Sequence, residues 1–484
     1  MGIVLNQSLK NTFITYIGFG LGAINVLFLY TYFLSDEYHG LVAYVFSTSY
    51  IMMPVFALGA HNTLIKFYSS YTTKKHQNSF LMLMLFLPIA IIIPVGLIGT
   101  FSYEWIASTL AKENVIIKDH VWLIYLTAIC LSYFEIFYAW AKVQLQSVFG
   151  NFMKEVFHRL GAMILFVLIY FDLINVEFFI YGVVLVYALR MVIMKLYAFI
   201  IHPPIFKMVK LPDLDKVLKY SFLIIIAGSV ASVILEIDKT MLGNFISIEN
   251  VAYYGVAIYI ATVIGVPARS MYQITNPLTA KFLNENQKDK LETLYHKSSL
   301  NLFIISGFIF LLITCNVFQL YQIIPEAYSG ALVVVLIVSV AKLTDNIVGN
   351  ANAILFNSDY YRIVLMLGIL LALMAVCLNL LLIPQLGILG AAIATFVSVV
   401  VYNALKVWYV YRKFQMLPFT KATFKTYALL LLGFAAFYFW ETPFHPMVNI
   451  ALKSILISAF YGLLVYRLRL SEDINTLLDK VLKK

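Results

Sequence analysis

The residues of this sequence able to do chemistry are charged side chains set inside long apolar runs. Glu236, Asp238 and Lys239 stand close together near the end of one such run, while Glu135, Arg190, Lys342 and Asp345 interrupt others. An unpaired charge is expensive in hydrocarbon, so a charge kept there pairs with a neighbour or lines a polar cavity. Glu236 and Lys239 have the spacing of a helical ion pair. Lys342, Asp345, Gly349 and Asn352 recur at helical spacing along one face, flanked by Asn346 and Asn350. The chemistry these groups offer is binding: cations for anionic groups, amides and carboxylates for hydroxyls, an acid for a coupling ion. Glu135, Arg190, Lys342, Asn346 and Asn350 are therefore the candidate substrate-binding residues of a central cavity. Glu236, Asp238, Lys239 and Asp345 are the candidates for ion coupling or gating. No residue is assigned a catalytic or metal-binding role. Each choice has a plainer alternative. Glu236 and Lys239 form a self-satisfied pair near a surface on one reading, and Lys142, Lys195 and Arg269 lie near segment ends, where snorkelling accounts for them.

The elements that must position these groups follow from composition. Of 484 residues, 62% are apolar and 12% charged, against roughly 25% charged in a soluble domain. The chain reads as an all-α polytopic membrane protein with about fourteen segments of the length that crosses hydrocarbon. They begin at Thr12 to Phe33 and end at Met447 to Tyr466. The fifth, Phe157 to Phe171, is short and starts beside His158 and Arg159; the seventh is Tyr220 to Phe245 and the thirteenth Thr423 to Trp440. Lysines and arginines gather in the loops after even-numbered segments, including Lys74, Lys75, Lys154, Lys207, Lys210, Lys281, Arg412 and the terminal Lys483 and Lys484. That asymmetry predicts both termini in the cytoplasm. The net charge of +10 is spread over short loops, which argues against nucleic acid as a partner. Cys130, Cys315 and Cys377 all lie in apolar segments, and their odd number and placement predict packing roles and no disulfide framework. The N-terminus lacks a charged region before a cleavable apolar core, so the first span is expected to be retained. Connections are short: Ser102 to Val121 has room for a small surface helix. Asn284 to Ser299 and the tail from Ser471, with Ile474, Leu477, Leu478, Val481 and Leu482 on one stripe, suggest helices lying on the membrane face.

The chain also echoes itself. Tyr38-His39-Gly40 with Tyr44, then Asn62, Leu64, Lys66 and Phe67, return as Tyr254-Gly255 with Tyr259, then Asn276, Leu278, Lys281 and Phe282. The copies lie about 215 residues apart and enter the membrane from the same side, which predicts parallel repeats about an axis along the membrane normal. The expected organisation is two six-helix lobes related by a pseudo-two-fold axis, residues 1–205 and 206–415, then two further helices in 416–470 and an amphipathic tail in 471–484. The lobes are chemically unequal, because the first copy carries Asn25 at about the level where the second carries Asp238.

Three stretches resemble one family. The run from Asn379 through Pro384, Gly387, Gly390, Ala391, Ala394 and Thr395 resembles the hairpin between the eleventh and twelfth helices of the polysaccharide flippases. These are oligosaccharidyl-lipid transporters of the multidrug/oligosaccharidyl-lipid/polysaccharide (MOP) exporter superfamily. Asp238-Lys239-Thr240-Met241-Leu242-Gly243 with Tyr254-Gly255 resembles their seventh-to-eighth helix region, and Leu34 to Gly40 their first hairpin. In physical terms Pro384 is expected to end one helix, Gly387 to permit a turn, and the small residues after it to let helices approach closely. The resemblance implies a transporter of the bacterial inner membrane that moves polyprenyl-diphosphate-linked oligosaccharide by alternating access, for O-antigen, capsule or exopolysaccharide synthesis. It implies no bond chemistry and no resident cofactor, with Na+ or H+ coupling through Asp238 or Asp345 as a hypothesis. The partners it implies are the lipid-linked oligosaccharide, membrane lipids and polysaccharide assembly enzymes. Arg190 and Lys342 would neutralise diphosphate or acidic sugars. Two alternatives stand beside this: a cation-coupled multidrug antiporter of the same superfamily, which would prefer an acidic cavity, and a membrane polysaccharide polymerase or ligase, which would need a sizeable outer loop.

Overall fold

In hydrocarbon a peptide group has no water to bond, so a spanning segment must satisfy its N–H and C=O groups within itself. The computed structural model describes residues 2–206 and 209–482, and all regular structure among them is helical. Lys207, Lys483 and Lys484 lie outside the described residues, as do the side chains of Leu477, Leu478, Val481 and Leu482. Eleven helical stretches among the described residues are long and apolar enough to cross a membrane, which makes the chain a multi-pass membrane protein. The longest, Tyr361–Phe414, contains two of the segments expected from sequence, joined at Gly387. The fifth and thirteenth expected segments fall on helices His158–Tyr170 and Lys421–Phe437, of 13 and 17 residues.

The chain forms two compact units, Met1–Ala252 and Tyr253–Lys484. The first contains α1 (Gly2–Ile24), α2 (Asp36–Phe56), α3 (Lys74–Phe86), α4 (Ile89–Phe101), α5 (Val121–Val143), α6 (His158–Tyr170), α7 (Val176–Ile201) and α8 (Leu214–Phe245). Helix α2 packs against both α5 and α8, and α5 against α7. The chain makes two π turns, Asn25–Leu29 and Met153–Phe157, and the buried Asn25 amide of the first donates to the Arg159 carbonyl on α6 at 2.9 Å. Between α4 and α5 the chain makes the expected short helix, Tyr103–Leu110, followed by a 3-10 turn.

Helix α8 is fastened to the first unit by a polar ladder. Near its start Ser221 donates to the Leu58 carbonyl (2.8 Å) and accepts from Thr63 (3.0 Å). Further along Thr240 lies 3.3 Å from Thr48, and the Tyr44 hydroxyl donates to Asn244 at 2.7 Å. The Tyr44 ring covers Gly243 so closely that a Cβ there would collide with it. Beyond the helix, buried Asn114 donates to the carbonyls of Gly243 (2.7 Å) and Ile246 (2.9 Å) and accepts from the Ile248 N–H (2.8 Å). The compact units thus divide later than the repeat-based lobes, since α8, expected to open the second lobe, spends its hydroxyl and amide partners on α2 and on Asn114.

The second unit contains α9 (Val266–Asn284), α10 (Lys288–Tyr321), α11 (Leu332–Ile347), α12 (Tyr361–Phe414), α13 (Lys421–Phe437), α14 (Pro446–Arg467) and α15 (Glu472–Leu482). Helix α10 is its hub, packing against α9, α11, α13 and α14. In α12 the break falls at Gly387 (φ 56°, ψ −133°), and helical structure continues past Pro384, which was expected to end it. The second limb passes so near the Leu382 carbonyl that Gly390 has no room for a Cβ, the close approach that small residues permit. The polar stripe expected along Lys342 to Asn352 is broken, because Gly349 (φ 58°) ends α11 and a separate helix, Ala351–Phe356, follows. Of the cysteines, Cys130 and Cys315 are buried, but Cys377 is exposed and does not pack in a core as expected.

Lys453 on α14 is fully buried, donating to the Cys315 carbonyl at 3.1 Å with Gln319 Oε1 at 3.5 Å. It pins the last span to α10. For the first unit, Asn114→Ala removes three bonds to backbone groups at about 1 kcal/mol each. Thermal unfolding of the purified protein in detergent should show a loss of about 3 kcal/mol, or roughly half that if water replaces the amide.

Candidate functional site

The residues singled out by sequence fall into two polar clusters, one within each unit. In the first, Arg190 on α7 is 3% exposed and has aromatic rings on its guanidinium, Phe134 at 4.0 Å and Tyr187 at 4.5 Å. A desolvated guanidinium over rings gains on the order of 2 kcal/mol. Its Nε is buried without a hydrogen-bond partner, and no carboxylate lies within 4 Å of it among the described residues. The Tyr50 hydroxyl bonds with that of Tyr187 and stands within electrostatic reach of Arg190, Glu236 and Glu135. The His158 ring lies 5.3 Å from that of Tyr187. Three predicted residues, carried by α5, α7 and α8, are therefore gathered around one tyrosine.

Glu135 is paired with Lys154 at 2.6 Å, a residue of the π turn before α6. Lys142, two turns further along α5, lies over the Tyr138 ring at 3.7 Å and within electrostatic reach of Glu135. On α8, Glu236 and Lys239 form the ion pair their spacing predicts, partly buried on both sides. Asp238 is buried at 7% exposure beside them. Thr240, one residue beyond Lys239, belongs to the ladder onto α2, so this charged stretch and the packing of α8 are mechanically continuous.

The second cluster surrounds the end of α11. Asp345 is half exposed and pairs with Lys406 of α12 at 3.8 Å, while Lys406 is only 7% exposed and also sits 4.2 Å from the Tyr402 ring. Tyr272 of α9 donates to the Gly349 carbonyl at 3.3 Å and senses the charge of Asp345. Asn346 and Asn350 are buried and bonded within the protein. Asn346 donates to the Ile264 carbonyl (2.9 Å) and Ser306 (2.8 Å), and Asn350 donates to Thr279 (2.8 Å) and accepts from Ser298 (3.1 Å). These amides hold α9, α10 and α11 together across the break at Gly349. Lys342 is half-buried, with no carboxylate within 4 Å among the described residues.

Lys406, Tyr402, Tyr50, Tyr187 and His158 were not singled out from sequence. Lys406 had the same signal as its partner, a charge inside an apolar run, but lay close to the basic residues Arg412 and Lys413 that mark the end of its span. The tyrosines are too common in this chain for composition to pick them out.

The Asp345–Lys406 pair makes an asymmetric prediction. Removing the carboxylate strands a buried ammonium, whereas removing the ammonium leaves a half-solvated carboxylate. Asp345→Asn should therefore destabilise the protein by about 3 kcal/mol and Lys406→Met by under about 1 kcal/mol, as read by unfolding in detergent; equal losses would show that the pair is not held together by burial of the lysine.

A family model described as polysaccharide biosynthesis protein matches residues 5–282, more than half of the chain. No curated protein matches it by sequence. Among solved structures the chain is similar to the lipid II flippase MurJ in an inward closed conformation, at 12% identity and a TM-score of 0.73, covering 96% of this chain and 100% of that one. It is also similar to an inward-facing MATE family multidrug resistance transporter of the MOP superfamily, with 14% identity, a TM-score of 0.66 and coverage of 84% and 98%. A MOP superfamily transporter from Pyrococcus furiosus matches at 15% identity and a TM-score of 0.56, covering 86% of this chain and 96% of that one. At such identities these likenesses establish the fold, and the family match completes them: the chain is a member of the polysaccharide biosynthesis protein family with the helical fold of MOP superfamily transporters.

Proposed function

We propose that this protein translocates polyprenyl-diphosphate-linked oligosaccharide units across the bacterial inner membrane by alternating access, supplying the synthesis of a cell-surface polysaccharide. The observation that carries the reading is Arg190, a guanidinium buried among aromatic rings with no carboxylate within 4 Å among the described residues. A cation kept unpaired at membrane depth is stabilised when an anion arrives, and the diphosphate of a lipid-linked sugar is such an anion. The Tyr50 and Tyr187 hydroxyls beside it suit phosphate oxygens or sugar hydroxyls. Family membership supports a role in polysaccharide synthesis, and the likeness to a lipid II flippase supports a lipid-linked cargo.

In this mechanism no covalent bond is made or broken. The head group exchanges water for Arg190 and the hydroxyls, the prenyl chain stays in lipid, and a conformational change re-exposes the head on the other leaflet. Coupling to Na+ or H+ through Asp238 or Asp345 belongs to the same proposal, with Glu236 and Lys239 as the gating pair. Both termini are assigned to the cytoplasm on the loop charges. Assembly enzymes that extend the polysaccharide would act on the delivered product.

Deleting the gene in the source bacterium should cause lipid-linked oligosaccharide to accumulate on the inner leaflet and surface polysaccharide to fall. Restoring the wild type should reverse this, whereas Arg190→Gln should restore less than a tenth of the export at equal membrane abundance, and Arg190→Lys an intermediate amount. Unchanged export in the deletion strain, or energised efflux of a cationic dye by the purified protein, would move the assignment to the multidrug antiporters that share this fold.

A further inference from the structure

The C-terminal end of α14 and the first turns of α15 enclose a pocket of about 480 Å³, lined by Tyr466, Arg467, Arg469, Glu472, Asn475, Thr476 and Asp479. None of these residues belongs to the two clusters described above. The pocket owes its shape to a tight reversal of the chain. After α14 the Leu470 N–H turns back to the Val465 carbonyl at 3.2 Å, with Arg469 in the left-handed region at φ 46°. The two helices are then bolted together: the Tyr466 hydroxyl donates to Asp479 at 2.7 Å, and Asn475 Nδ2 donates to the Tyr466 carbonyl at 2.9 Å. Asp473 ties α15 to α10 through Lys297 (3.3 Å) and Asn301 (2.9 Å). The walls are therefore fixed before any ligand arrives.

The charges on those walls are not spent. Arg467 and Arg469 are exposed, and neither has a carboxylate within 4 Å among the described residues, although Glu472 and Asp479 line the same pocket. Two donors of fixed positive charge fit a phosphate, which guanidinium groups bind through paired N–H donors. On the pocket wall the exposed Glu472 carboxylate has no cation within 4 Å among the described residues. The pocket thus offers cations for a phosphate and the Glu472 carboxylate for a neighbouring ammonium.

Its place decides the source of that ligand. α14 is one of the membrane-crossing helices. Leu463, one turn before Arg467 on the same face, is 57% exposed, and Leu468 is 48% exposed. A polar pocket that caps an exposed apolar strip matches a phospholipid, headgroup above and acyl chain below. We propose that this pocket binds the headgroup of a membrane phospholipid carrying a primary amine, as in phosphatidylethanolamine, with the phosphate on Arg467 and Arg469 and the ammonium on Glu472.

Native mass spectrometry of the full-length protein from nanodiscs containing equal phosphatidylethanolamine, phosphatidylcholine and phosphatidylglycerol tests this. One retained phosphatidylethanolamine per chain is expected, preferred at least tenfold over the other two, since choline has no N–H and glycerol no charge. Arg467→Gln with Arg469→Gln should cut retention of all three lipids at least tenfold, because they share the phosphate, and Glu472→Gln should abolish the preference; both leave the Tyr466–Asp479 and Asn475 contacts intact. Soluble glycerophosphoethanolamine should not displace the lipid at millimolar concentration; displacement would mean a site for free phosphoesters and would overturn the lipid assignment. Equal retention of the three lipids by the wild type, or phosphatidylethanolamine retention that survives the double arginine substitution, would also overturn it.

Discussion

Every charged or amide group in these helices must find its partner inside the protein, because hydrocarbon supplies none. The structure meets this condition in several ways. Glu135 takes Lys154, Glu236 takes Lys239, Asp345 takes Lys406, and buried Lys453 takes a backbone carbonyl of α10. Asn114, Asn346 and Asn350 use their amides as fasteners between helices. Against this pattern Arg190 stands out, since its guanidinium is held by aromatic faces and its Nε has no acceptor. An anion brought to Arg190 would meet the demand that its rings leave open, which is the basis of the proposed cargo.

The same condition links the cluster to the packing of the first unit. The charged stretch of α8 is flanked by the contacts that fasten this helix to α2, through Thr240 on one side of it and Asn244 just beyond. Any movement of α8 that changes the surroundings of Glu236 and Asp238 must therefore also exchange hydroxyl and amide partners along this ladder. Such exchange is cheap where water enters and costly where lipid stays. In the second unit the break at Gly349 and the amides that brace it give Asp345 a comparable setting, with Lys406 and Tyr402 as its neighbours.

The fold was legible because it rests on length and hydropathy, which survive at any sequence divergence. Apolar runs separated by basic loops gave the spans, and Gly387 announced the hairpin of α12. What was not legible depends on three-dimensional partners. Spacing found the Glu236–Lys239 pair because both lie on one helix, but it could not find Lys154 for Glu135 or Lys406 for Asp345, which come from other elements. The apparent polar face from Lys342 to Asn352 assumed an unbroken helix, and Gly349 with positive φ divides it. Arg190 was visible as a charge in an apolar run, yet only the structure shows that rings rather than a carboxylate surround it. Cys377 illustrates the reverse error: a membrane helix exposes apolar residues to lipid, so lying in an apolar run does not imply burial.

The central claim is that the protein moves a lipid-linked sugar whose diphosphate is met by Arg190. The most direct measurement uses purified protein in vesicles loaded with fluorescent polyprenyl-diphosphate oligosaccharide, following how fast the inner-leaflet fraction becomes accessible to a membrane-impermeant quencher. Accessibility should rise with the wild-type protein well above protein-free vesicles, and an oligosaccharide on a neutral polyprenyl ether should not be moved at a comparable rate. Identical rates with and without protein, or equal transport of the neutral lipid, would contradict the account.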